Sequence, residues 1–280
     1  MDDPREQLLD SWERAAQGWG RQAERWSGAV APVSAAMLEL AALTPGRRVI
    51  ELAAGPGDLS LAAAALVAPT QVLCTDGVEA MVQVARERAE EAGVANIAFA
   101  RTQLEWIDLP AASADVILCR FGLMLTVDPG AALQECRRVL VPGGRLVLAV
   151  QGPASANPWL TLPVRAAREA GLEVGAPEPD GGPGPFALAD LDALAALLTE
   201  AGFFDVAVQS VDWSVSFRDG RDWLGQKVDQ SPSFATLWRA LDDGTRTALR
   251  EHLERAGASL RDAEGTLVVP GRAIVAAAEA

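Results

Sequence analysis

Arg48-Val-Ile-Glu-Leu-Ala-Ala-Gly-Pro-Gly-Asp58 is the stretch whose reading decides the fold. Its first half is a short apolar run with β-branched Val49 and Ile50, which reads as a buried strand. Its second half is broken by glycines into a turn. An Ala/Leu-rich run over residues 58–68 then predicts a helix. Strand, glycine turn and helix in that order open an α/β sheet, whose ligand lies at the carboxyl ends of the strands beside the next helix N-terminus.

The alternation continues on the C-terminal side. Strands are expected at residues 71–75, 97–100, 115–120 and 145–151, separated by helices at 78–92 and 131–140. Such spacing requires crossover connections and a parallel, doubly wound sheet. On the N-terminal side, Trp12, Trp19 and Trp26 recur every seven residues, and Val33, Met37, Leu40 and Leu43 form a second apolar stripe, so two helices lead the chain. Residues 152–186 are rich in Pro and Gly and read as an insertion or lid. A helix at 188–201 and two long strands at 206–217 and 266–278 close the sheet, with a helical excursion between them.

The 280 residues can bury one large core. The longest apolar run, Leu61 to Ala68, falls far short of the roughly 20 residues a membrane helix needs. No membrane span is expected, and the acidic first ten residues do not resemble a secretory signal, which points to the cytoplasm. A net charge of −14 opposes a phosphate backbone, so nucleic acid is not the expected partner. Cys74, Cys119 and Cys136 are widely spaced and read as reduced core thiols, with no metal expected. There is no Tyr, one Lys (Lys227) and one His (His252), which leaves almost no material for Schiff-base, triad or His-metal chemistry.

Gly55 and Gly57 let a bulky ligand approach the backbone, and Asp76 ends the second strand with a carboxylate able to accept both hydroxyls of a ribose. A dinucleotide turn wants a third glycine and a helix N-terminus free for pyrophosphate. Here Ser60 takes that glycine's place and Asp58 brings negative charge to the helix start. A nucleoside without phosphate, such as S-adenosylmethionine, suits the turn better.

VIELAAGPGDLS, LCTDGVEAMVQVARERAEEAG and LPAASADVILCRFGLMLTVDPGAALQECRRVLVPGGRLVLAV resemble successive motifs of the class I S-adenosylmethionine-dependent methyltransferases, in the ubiquinone/menaquinone-biosynthesis branch that also holds small-molecule tailoring enzymes. The resemblance covers residues 31–150 well and the closing PGRAIVAAA more weakly. It implies a Rossmann-like α/β fold: a seven-stranded, mostly parallel sheet with helices on both faces and the last strand antiparallel. It also implies a division into an N-terminal helical lid (1–44), a cofactor-binding core (45–151), a Pro/Gly-rich substrate-side insertion (152–187) and a C-terminal part (188–280) whose excursion spans about 218–262.

By the same resemblance Glu51 and the backbone from Ala53 through Gly55 to Gly57 hold the methionine part, Asp76 with Gly77 the ribose, and Met81 the adenine. Gln103, Leu104 and Glu105 stand where the family usually has Asp-Ala-Glu; an amide at Gln103 can still accept the adenine amino hydrogen, without charge. Ala53 replaces a common glycine. Arg120 and Phe121 face the methionine or the methyl group, and Trp19 packs over the cofactor from the lid. The expected activity is methyl transfer to a small, hydrophobic or aromatic acceptor, yielding S-adenosylhomocysteine, mainly by positioning; no catalytic base is singled out. Trp159, Phe186, Trp213 and Trp223 offer apolar walls for that acceptor. Two rival readings stand: a cofactor-binding protein of this fold that transfers no methyl group, and an NAD(P)-dependent oxidoreductase. A homodimer is expected only from the frequency of such assemblies.

Overall fold

The computed structural model of the chain describes residues 4–174 and 182–280. Two helices lead, α1 (Pro4–Ala29) and α2 (Ala31–Ala41). The alternating part follows: β1 (Val49–Leu52), α3 (Asp58–Val67), β2 (Val72–Asp76), α4 (Glu79–Glu91), β3 (Ile97–Arg101), β4 (Ala114–Arg120), α5 (Pro129–Val139) and β5 (Leu140–Gln151). Then come α6 (Pro158–Glu169), α7 (Leu191–Glu200), β6 (Phe204–Phe217), α8 (Gly220–Gln230), α9 (Pro232–Ala240), α10 (Asp243–Gly257) and β7 (Leu267–Glu279). The sheet has seven strands in the order β3-β2-β1-β4-β5-β7-β6. Strands β1 to β5 pair in parallel and β7 runs antiparallel to both its neighbours. The chain moves one way from β1 to β3, then crosses to β4 on the other side of β1. The loops after β1 and β4 therefore diverge and leave a crevice at the switch point.

Alternation along the strands sorts the core into two layers. Val49, Leu118, Val147, Ala149, Ala273 and Val275 pack with α2, α3 and α6 on one face. Ile50, Leu52, Ile117, Leu146 and Leu148 pack with Leu133 of α5 and Leu194 of α7 on the other. Helix starts follow side-chain caps: Asp128 accepts from the Ala131 N–H and Asp190 from the Ala193 N–H.

One expected segment differs. Residues 152–187 were expected as a Pro/Gly-rich insertion with no helix singled out, and they contain the twelve-residue helix α6, whose Trp159, Leu162, Ala166 and Ala167 are buried. Its two prolines look like breakers in sequence. Pro158 occupies the helix start, where no N–H is needed, and Pro163 removes the bond that would satisfy the Trp159 carbonyl. The Trp223 indole N–H of α8 donates to that carbonyl at 3.3 Å instead. Residues 175–181 of this stretch lie outside the described residues.

Helix α1 is strapped across the molecule. Arg21 and Gln22 bond Asp229 of α8, Arg25 pairs with Asp222 at 3.0 Å, and Glu24 pairs with Arg88 of α4 at 2.6 Å. The α1–α8 crossing is close enough that a Cβ on Gly18 would lie 1.9 Å from the Asp229 carbonyl oxygen. Among the described residues no helix is long and apolar enough to cross a membrane, and no cluster of His, Cys, Asp and Glu could hold a metal.

Candidate active site

The crevice beyond β1 and β4 is a cleft walled on one side by α1. The turn after β1 bends sharply, with Ala53 at φ +51°, Gly55 at +55° and Gly57 at +78°. Gly57 is required twice over, because a Cβ there would also sit 2.9 Å from the Ala85 Cβ of α4. Ala53 takes the left-handed conformation with a side chain, at roughly 1–2 kcal/mol. Its methyl fills room left by Gly122, where a Cβ would come within 2.5 Å of it, so the departure from glycine is accommodated across the cleft floor.

Asp76 ends β2 facing this turn. Its Oδ2 accepts from the Gly55 N–H at 2.9 Å and its Oδ1 from the Val78 N–H at 3.2 Å. Both oxygens keep lone pairs for a ligand. Burial pushes its pKa up to about 6, against the opposing pull of those backbone donors.

Beneath the turn lies a charged group. Arg120, at the tip of β4, donates to Asp58 Oδ1 at 2.7 Å and to the Ser34 hydroxyl at 2.5 Å, and both partners of the ion pair are almost wholly buried. Glu51 is buried beside it and bonded to Ser60. Desolvation raises the Glu51 pKa to about 8, moderated by Arg120 and by the Ser60 hydroxyl. Asp58 therefore sits at the start of α3 with its charge matched by Arg120, and no cation there is left over for a pyrophosphate.

Of the residues expected to bind cofactor, Trp19, Ala53, Gly55, Asp76, Gly77, Met81, Gln103, Leu104, Arg120 and Phe121 all line the cleft. Glu51 and Gly57 do not: one is buried under the turn and the other faces α4. The expected acceptor walls are placed differently. Trp223 stacks on Phe217 inside the core, Trp159 and Trp213 are buried one layer behind Trp26, and half-buried Phe186 lies outside the cleft lining. The physical reason is common to all three tryptophans: each ring gains more by packing beside another aromatic than by facing water.

Sequence reasoning missed Leu8 and Leu9 of α1 and the loop Leu125 to Val127, which line the cleft together with Trp12 and Trp26 of the tryptophan series. The seven-residue Trp spacing was the available signal for the helix; nothing in the loop's sequence marks it. Glu105 has a further task, accepting from Arg5 of α1 at 3.1 Å and from the Asp128 N–H at 2.7 Å, so it ties the start of α1 to the cleft rim.

The fit to S-adenosylmethionine rests on this lining. The Asp76 carboxylate is oriented as a ribose would need, the bend at Gly55 is open, and Met81 and Leu104 present apolar faces of the kind an adenine requires. The Trp19 indole N–H on the cleft wall is buried without a partner, a donor available to the ligand.

Residues 49–144 match a family model described as a methyltransferase domain. The chain is 38% identical over 125 residues to the ubiquinone/menaquinone biosynthesis C-methyltransferase UbiE of Ectopseudomonas mendocina, a span of 44% of this chain and 48% of that protein. The chain thus matches about half the length of the curated relatives. In fold it is similar to the YcgJ protein of Bacillus subtilis (TM-score 0.58, 20% identity, covering 88% of this chain and 97% of that one). It is similar also to the [4+2]-cyclase SpnF (TM-score 0.54, 19% identity, covering 88% and 80%). Sequence match and strand order agree: over its core, on the doubly wound sheet described above, the chain is similar to methyltransferase domains, the UbiE enzymes among them.

Proposed function

We propose that the protein transfers a methyl group from S-adenosylmethionine to a small, largely apolar aromatic acceptor. The observation that carries this reading is the Asp76 carboxylate, held toward the cleft by the Gly55 N–H at 2.9 Å. S-adenosylmethionine supplies an electrophilic methyl group on a sulfonium. The chain's own part is to hold the two reactants in line, which can lower a barrier by roughly 7–11 kcal/mol.

Asp76 fixes the nucleoside end. Phe121, at φ +62° directly after Arg120, is aimed into the cleft by a backbone conformation that a bulky residue rarely adopts. Trp19 and Trp26 exclude water on the α1 side. The ionisable side chains on the cleft wall are Arg5, Asp76, Glu105 and Arg120, and the structure gives each a polar partner; His, Lys, Cys and Tyr are absent from the wall among the described residues. Deprotonation of the acceptor, where its chemistry requires it, then falls to water, and positioning does the rest.

The same absence favours a second reading, in which the site binds S-adenosylmethionine for another reaction or for regulation. Likeness to a cyclase shows that the fold alone does not fix the chemistry. Incubation with S-adenosylmethionine and a panel of phenolic and quinol acceptors, followed by mass spectrometry, separates the two. A methylated product with matching S-adenosylhomocysteine is expected; tight cofactor binding with no product across the panel would favour the second reading.

A further inference from the structure

The bend between β1 and α3 is held by few bonds of its own. The Ala54 N–H donates to the Thr75 carbonyl at 2.9 Å, the Gly55 N–H to the Asp76 carboxylate at 2.9 Å and the Gly57 N–H to the Ala54 carbonyl at 3.0 Å. Pro56, between two glycines of positive φ, brings no N–H. Among the described residues no backbone N–H reaches its carbonyl either. A side chain from another element does so: the Arg88 guanidinium, in the last turn of α4, donates to the Pro56 oxygen at 2.7 Å. A charged donor makes this a stronger bond than a neutral one would.

The same guanidinium has a second partner. Its other terminal nitrogen bonds Glu24 of α1 at 2.6 Å; the Arg88 side chain is 15% exposed and that of Glu24 90% exposed. A pair with one partner so exposed adds little stability by itself. Its place gives it a different use. Gly55 and Pro56 line the cleft, and Ala85, one turn before Arg88, packs where a side chain on Gly57 would have to go. Helix α4 therefore backs the bend twice, by shape at Ala85 and by charge at Arg88, and the charged support is shared with α1. Arg88 itself is no part of the cleft wall.

We propose that Arg88 is a positioning residue that makes the shape of the bend depend on the docking of α1. With Glu24 in place the guanidinium is held in one orientation and fixes the Pro56 peptide, and with it the Gly55 N–H on Asp76. When α1 lifts, Arg88 loses one of its two partners, regains rotamer freedom, and the bend loosens. Which part of a ligand feels this follows from the wall. With adenine against Met81 and Leu104 and ribose on Asp76, the 5′ amino-acid chain is left to run along Gly55 and Pro56. The proposal thus rests on the reading of the cleft as an S-adenosylmethionine site, and adds to it a link between the leading helix and the hold on the amino-acid end.

The test is calorimetric titration of the full chain with S-adenosylhomocysteine and with 5′-methylthioadenosine, which keeps the nucleoside and the sulfur but lacks the amino-acid end. Arg88→Met should weaken S-adenosylhomocysteine by at least about tenfold and 5′-methylthioadenosine by less than about threefold. Arg88→Lys keeps a donor but not the fork that meets both partners, so its loss should fall between wild type and Arg88→Met. Glu24→Gln, a change at an exposed position, should weaken S-adenosylhomocysteine by about threefold and leave the smaller ligand unchanged. Equal losses for both ligands in Arg88→Met would mark a merely structural role, and unchanged S-adenosylhomocysteine affinity in Arg88→Met or in Glu24→Gln would overturn the coupling. Should Arg88→Met fail to fold, Arg88→Lys and Glu24→Gln decide by the same pair of ligands. If the wild type does not bind S-adenosylhomocysteine, the reading of the cleft falls and the coupling with it; if it binds and transfers no methyl group, the coupling stands and the methyl-transfer reading alone falls.

Discussion

Asp76 and Glu51 are both carboxylic acids at strand ends, yet the structure gives them opposite work. Asp76 receives two backbone N–H groups and is ionised at neutral pH, with a pKa near 6. Asp76→Ala should weaken S-adenosylhomocysteine binding by about tenfold or more, and unchanged calorimetric affinity would remove Asp76 from the ribose site. In the wild type the same affinity should fall about tenfold as pH drops one unit below that pKa, because the protonated acid loses most of its accepting power. Glu51, raised to about 8, is neutral at pH 7 and bonded to Ser60. A folded-state pKa above the unfolded one means that its contribution to stability is full at low pH and is lost as pH rises from the ordinary carboxylate range through about 8. Glu51→Gln keeps the neutral shape and removes that titration. Its melting temperature should therefore hold steady between about pH 6 and pH 9 while the wild type declines, at about 2–4 °C for each kcal/mol. Parallel curves would show that Glu51 does not titrate in this range.

At the scale of elements, the α1–α8 crossing depends on Gly18, which leaves room for the Asp229 backbone. Gly18→Val should lift α1 from α8 and raise amide exchange throughout α1, with little change in the sheet strands. Equal exchange in α1 would mean that the straps at Asp222 and Asp229 suffice without close contact. The elements differ in how far the sequence announces them. Strands β1 to β5 were readable because each is a short apolar run bounded by glycine, proline or polar residues, and the observed limits fall within a few residues of expectation, except that β5 begins earlier, at Leu140. Helix α6 was not readable, since the donor that replaces the N–H missing at Pro163 comes from Trp223, sixty residues away in sequence. The cleft lining at the turn after β1 was legible for a related reason: its glycines and the Asp76 that caps it are set by local backbone demands. The tryptophan environments were not, because a buried indole and a pocket-lining indole look alike until their neighbours are known. Trp159, Trp213 and Trp223 became core only through contacts between distant elements.

For the whole molecule, binding a ligand in the cleft joins parts that are otherwise linked by surface straps. The cleft wall draws on α1, the turn after β1, the ends of β2 and β4, and the loop at Leu125 to Val127. S-adenosylhomocysteine at a hundredfold excess over its dissociation constant should raise unfolding free energy by about 2.7 kcal/mol. The added protection in hydrogen exchange should be greatest in α1 and smallest in α10, which contributes nothing to the cleft wall. Protection spread evenly would point to a ligand bound elsewhere.

The tryptophan series along α1 carries an optical consequence. With eight Trp and no Tyr, all near-ultraviolet absorption and emission above the phenylalanine region belongs to indoles. Trp12, Trp19 and Trp26 stand 6.2 and 5.5 Å apart, at chiral angles fixed by the helix. Their excited states must couple, so any lifting of the helix will be written into the circular dichroism of the unlabelled protein and can be followed without attaching a dye.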